Sequence, residues 1–149
     1  MVRLVSLFAA LFILASCGAP PGGALDVSRS HASAQQKYLV TLSPLVDAVP
    51  INEIHSWEIT LATAAGRPVT KARFDFDGGM PEHGHGFPTQ PQVTKDLGDG
   101  RYLLEGVKFS MTGWWQMKLH IDSEFGPDDA IFNTVIGLPV LESAAAPPS

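Results

Sequence analysis

The sequence predicts an all-β protein, a single antiparallel β-sandwich of about seven strands. Three observations carry this. Apolar and polar residues alternate with a period of two in one segment after another. Gly-, Pro- and Asp-containing turns separate those segments, and no comparable stretch repeats with a helical period.

The chain begins differently. Arg3 is followed by the apolar run Leu4 to Leu14, then by the small residues Ala15 and Ser16 and by Cys17. This is the basic start, hydrophobic run and small-residue cleavage site of a secretory signal, assigned to residues 1–16. The run is too short for a membrane span, which takes roughly 20 residues. Leu14-Ala15-Ser16-Cys17 resembles the lipobox of bacterial lipoproteins, in which the cysteine is acylated and becomes the mature N-terminus. Cys17 is the only cysteine and therefore has no disulfide partner within the chain, and lipid attachment would account for it. Gly18 stands where an Asp would favour inner-membrane retention, so sorting by that resemblance points to the outer membrane. Residues 17–36, rich in Ala, Gly, Pro and Ser, are expected to form a flexible tether.

The domain proper is assigned to 37–141. Lys37–Leu42 is a short β-rich run. In Ile54–Leu61, Trp57, Ile59 and Leu61 alternate with Ser56, Glu58 and Thr60. In Val69–Asp77, Ala72, Phe74 and Phe76 alternate with charged residues, and Pro91–Asp96 is a weaker strand. Arg101–Met111 changes apolar phase after Leu104, and Gly106 is the expected site of a bulge. Trp115, Met117, Leu119 and Ile121 alternate through Trp114–Asp122, and Ala130–Leu138 completes the set. The turn Leu97–Arg101 followed by Tyr102 suggests a tyrosine corner, which with the strand count argues for an immunoglobulin-like sandwich. The tail 142–149, ESAAAPPS, is expected to be disordered.

Charge narrows the function. The formal charge is -5, and removing the signal with Arg3 makes it -6. An acidic chain without a basic stripe is a poor nucleic-acid binder. No GxSxG elbow, phosphate loop or dinucleotide fingerprint is present, and Glu82 has no second carboxylate clustered with it, so the domain is read as a non-enzyme.

One polar constellation stands out, Gly78-Gly79-Met80-Pro81-Glu82-His83-Gly84-His85-Gly86-Phe87-Pro88-Thr89. Imidazole suits Cu, Zn, Fe and Ni, whereas a thioether selects Cu(I), so Met80, His83 and His85 together favour copper. Met111, before the Thr112-Gly113 turn, and His55, on the inward phase of its strand, are further candidate ligands. The same residues also fit a loop that merely closes the end of the sandwich, or one that docks a partner. His31 falls in the tether and His120 on an outward phase, so both are read as uninvolved.

Read as whole motifs, GGMPEHGHGFPTQPQVT and LGDGRYLLEGVKFSMTGWWQMKL resemble the YtkA-like domain, which is related to FixH-like proteins. The likeness runs from about His55 to Ile136. It rests on Met80, Pro81, His83, Gly84, His85 and Gly86, and on Tyr102, Phe109, Met111, Gly113 and Trp115. It implies a small membrane-associated or exported β-sandwich, with a link to copper supply or assembly of haem-copper oxidases. This chain departs from FixH-like proteins in having a cleavable lipoprotein signal in place of a retained membrane helix, which argues against a direct oxidase-assembly role. The combined expectation is an envelope-anchored, periplasm-facing lipoprotein that binds or delivers copper. Its partners would be the membrane, through Cys17, and copper-handling or respiratory-complex proteins. The alternative is a metal-free interaction module of an envelope or respiratory-complex assembly.

Overall fold

A computed structural model describes residues 24–137; the signal over 1–16, the lipid site Cys17 and the tail over 142–149 lie outside the described residues. The order of elements is β1 (Ser30–Ala32), β2 (Tyr38–Pro44), β3 (His55–Thr63), β4 (Arg73–Met80), β5 (His85–Gly86), β6 (Gln92–Gly98), β7 (Arg101–Val107), β8 (Gly113–Asp122) and β9 (Asp128–Ile136). All pairings between strands are antiparallel, and the strands form two sheets, β1-β2-β3-β7-β6 and β5-β4-β8-β9. The β-sandwich expected from the alternation is therefore present.

The period-two segments supply the core. His55, Trp57, Ile59, Leu61 and Thr63 of β3 are buried in strict alternation, as are Trp115, Met117, Leu119 and Ile121 of β8. Tyr38, Val40 and Leu42 of β2 and Ala130 and Phe132 of β9 complete the two inner faces. Such rows meet because successive side chains of a strand point to opposite faces of a sheet. With no disulfide available, burial of this surface is the main favourable term, about 25 cal/mol per Å² of apolar area.

Gly106 does mark a bulge. His55 pairs with Val107 and Trp57 with Leu104, so β7 carries one residue more than β3 between those pairs. Gly106 takes up the extra residue at a φ of 85°. The inward phase consequently passes from Tyr102 and Leu104 to Val107 and Phe109.

Three expectations are corrected. Nine strands form where about seven were anticipated, because β1 and β5, at three and two residues, are too short to show a periodicity. β1 lies inside the stretch read as tether, where His31 pairs with Val40 and stacks on Phe132 at 4.2 Å between ring centroids. Tyr102 does not make a tyrosine corner. In that motif the hydroxyl returns to backbone a few residues upstream. Here it donates to the Val69 carbonyl at 2.7 Å and accepts from the Ala72 amide at 3.1 Å, pinning the segment that crosses between the sheets.

Candidate functional site

The His/Met segment is a hairpin, not an open loop. β4 runs on through Gly78, Gly79 and Met80, a four-residue turn follows, and β5 returns with Met80 opposite His85 and Gly79 opposite Gly86. The Met80 carbonyl accepts from the amides of His83 at 3.1 Å and Gly84 at 2.9 Å, which closes the turn. Gly79 is required here. Its φ is 156°, and a Cβ at this position would lie 2.1 Å from the His85 carbonyl oxygen.

The pairing sets the direction of each candidate ligand. Met80 points into the sandwich and is buried, with its methyl group against Gly113. His83 and His85 are exposed, with ring centroids 6.0 Å apart. The His85 ring also meets Trp115 edge-on at 5.7 Å, so it lies over the end of the core. Its Nδ1 donates to the Gly86 carbonyl at 3.0 Å. With Nδ1 engaged in that bond, Nε2 is the ring nitrogen left to meet a ligand, the arrangement metal-binding histidines adopt.

Beneath the hairpin is an aromatic cluster. Phe87 packs on Trp115 at 5.0 Å, Trp115 on Phe109 at 5.3 Å, and Phe109 on His55 at 5.5 Å. His55 is thus reached from the hairpin only through a chain of aromatic rings. It is 7% exposed, its Nδ1 donates to the Glu53 carbonyl at 3.1 Å, and its Nε2 is buried without a partner. Met111 is exposed beside the hairpin end, where its carbonyl accepts from the Trp115 indole at 3.1 Å.

The five candidate ligands therefore divide. His83 and His85 share one surface, the Met80 thioether lies under it, Met111 is at its side, and His55 belongs to the interior. Among the described residues no three His, Cys, Asp or Glu side chains converge as a metal-holding group. The side chains that could hold a metal here are the imidazoles of His83 and His85 with a thioether of Met80 or Met111, a set that would suit Cu(I) better than a hard cation. His120, read as merely exposed, is bonded through Nδ1 to Asp129 at 2.7 Å.

Some residues that organise the molecule gave little signal in the sequence. Asp128 is buried and collects hydrogen bonds from the Ser33 hydroxyl and from the amides of Gln35, Lys37 and Asp129. Burial raises its pKa, but the bonds from Ser33, Gln35, Asp129 and Lys37 together outweigh that and hold the carboxyl below its ordinary range. An Asp at the start of an apolar strand offers only a weak cue, since its partners other than the neighbouring Asp129 amide lie more than ninety residues away in the chain.

The sequence model of the family described as YtkA-like matches residues 32–120, the span from β1 to near the end of β8. The chain belongs to the YtkA-like family. The matched span takes in the His/Met hairpin and Trp115 beneath it. No curated protein matches the chain. Among solved structures, the ZirS C-terminal domain aligns with a TM-score of 0.42 at 8% identity, over 89% of this chain and 82% of that one.

Proposed function

We propose that this YtkA-like protein is an exported lipoprotein, acylated at Cys17 and held at the periplasmic side of the cell envelope, whose domain binds copper and passes it on. Binding, not catalysis, is its role. The ligands are His83 and His85, with a thioether from Met80 or Met111 completing the set. Copper-handling or respiratory-complex proteins would be its partners, in keeping with the FixH-like resemblance.

One observation supports the reading: His85 donates through Nδ1 to the Gly86 carbonyl, which leaves Nε2 uncommitted, and its exposed ring lies 6.0 Å from that of His83. A lone exposed histidine binds metal weakly, but two on a hairpin held by Gly79 are presented together at little further entropic cost. The Leu-Ala-Ser-Cys lipobox supports the location, since a tethered domain exchanges its cargo at a membrane surface.

The test is metal uptake by the purified mature domain. About one equivalent of Cu(I) or Cu(II) should bind and raise Tm, as any ligand specific to the native state does. The double variant His83→Ala/His85→Ala should lose both effects. A thermal shift that persists in the double variant, or none with either copper state, refutes the copper reading. Metabolic labelling with a fatty acid, lost in Cys17→Ser, tests the anchor separately.

A further inference from the structure

The two sheets do not match in width. β4 is paired with β8 along Arg73–Gly79, but on its other side β5 reaches only Gly79 and Met80. Along Arg73–Gly78 no strand among the described residues pairs with that second edge. The length is six residues, an ordinary strand. In the opposite sheet β6 is the edge strand, and β4 packs across from it. Between the two edges lies a groove of about 560 Å³. Phe74 and Phe76 point inward from β4, yet they remain only partly buried, because no described residue closes the groove over them. Phe87 and Val93 line its other wall. The outward phase of the same stretch presents Asp75 and Asp77, both exposed, whereas Arg73 is already bonded to Asp122 at 2.8 Å.

We propose that the free edge of β4 is a docking site for an extended segment of a partner protein in which apolar and basic residues alternate. The partner adds as a strand, and backbone hydrogen bonds to β4 supply affinity without regard to sequence. The pleat supplies selectivity. Every second side chain of an added strand faces Phe74 and Phe76 in the groove, and the intervening ones lie beside Asp75 and Asp77 on the outer face. Apolar residues fit the first row and Lys or Arg the second. The acidic row also disfavours partners that place carboxylates beside it, since like charges opposite one another destabilise a strand pair. The site needs no metal and stands apart from the copper reading.

The test uses the mature protein with a fluorescent peptide of alternating Lys and Val, read by anisotropy and by amide hydrogen exchange. The alternating peptide should bind and slow exchange within Arg73–Gly78. A peptide of the same composition with its lysines grouped at one end should bind about fivefold more weakly, as should one with Glu in place of Lys. Asp75→Lys/Asp77→Lys should lower affinity about fivefold to tenfold. The near-isosteric Asp75→Asn/Asp77→Asn should lower it less, and it keeps the test valid if the charge reversal unfolds the domain. Equal binding of the grouped peptide, slowing confined to another strand, or no binding overturns the proposal. Slowing at β4 in the protein alone, rising with its concentration together with a dimer in sedimentation, would assign the edge to a second copy and overturn it equally.

Discussion

The Asp128 carboxylate accepts a 2.6 Å hydrogen bond from the Ser33 hydroxyl, joining the turn after β1 to the first residue of β9. Both groups are buried. Ser33 in turn accepts from the Tyr38 amide at 2.9 Å, so one carboxylate holds the corner where β2 enters the core. Asp128→Ala would take from the buried Ser33 hydroxyl its carboxylate acceptor and from the Gln35 and Lys37 amides theirs, and should cost about 2–4 kcal/mol, measured by urea unfolding at neutral pH. The pH dependence follows from the sign of the shift. The carboxyl titrates lower folded than unfolded, so its contribution is complete above the ordinary value near 3.8 and is lost as pH falls from there through the lower folded value. Asp128→Ala should therefore flatten the acid limb of the stability curve. An acid limb identical to that of the parent protein would show that this carboxylate is not what acid disrupts.

Tyr102 yields a second expectation. Its hydroxyl has two backbone partners, the Val69 carbonyl and the Ala72 amide, and burial pushes its pKa above the ordinary phenol range. Tyr102→Phe keeps the ring packed on Phe74 at 4.8 Å but removes both bonds. It should destabilise the domain by about 1–3 kcal/mol and accelerate exchange of the Ala72 amide more than that of core amides in β8. A uniform acceleration would mean that the hydroxyl supports the whole sandwich instead of the crossing segment.

These two residues show where the sequence is legible. β3 and β8 are legible because one face of each is buried, which makes most residues of that row apolar, with His55 and Thr63 at the ends of β3 the exceptions. The Gly106 bulge was visible for the same reason, as a break in that phase. β4 begins at Arg73 and not at Val69, where the alternation starts. Val69–Ala72 contains apolar residues but is spent on the crossing, where Val69 bonds to Leu61 and Ala72 to Tyr102, long-range contacts that leave no local pattern. The composition of the His/Met hairpin was plain, and Gly79 and Gly84 hinted at its tight geometry. The separation of His55 from it was not, because that depends on which rings, here Phe109 and Trp115, fill the space when the sheets pack.

His120 and Asp129 form a cross-strand pair on the outer face of β8 and β9, 2.7 Å apart and largely exposed. The bond to Asp129 raises the His120 pKa above its ordinary value near 6.5, and the charge of that same Asp adds to the shift, as do Asp75 and Asp122. A raised folded pKa means the pair helps the fold fully below about pH 6.5 and ceases to help as pH rises through the higher folded value. In an NMR titration His120 should protonate above 6.5, and Asp129→Asn should move its midpoint down. Added salt should shrink the difference, because both groups face solvent. A midpoint unmoved by Asp129→Asn would assign the shift to Asp75 and Asp122 instead.

Met80 and Met111 separate packing from ligation. Met80 is 2% exposed and Met111 is 43% exposed, although both lie at the hairpin end of the sandwich. Met80→Ala should cost about 2–5 kcal/mol by leaving a cavity in the core beside Gly113, whereas Met111→Ala should stay within about 0.5 kcal/mol. Leucine at either position keeps the volume and removes the sulfur, so Met80→Leu and Met111→Leu test ligation with little penalty to the fold. If copper is held by His83, His85 and a thioether, one of the leucine variants should lose Cu(I) affinity while keeping its Tm. Loss only in Met111→Leu would place the metal on the open side of the hairpin, where a partner can take it. Loss only in Met80→Leu would require the thioether to turn outward on binding, detectable as a change in Trp115 fluorescence. Unchanged Cu(I) affinity in both would leave the two imidazoles alone and remove the argument for Cu(I) over Cu(II).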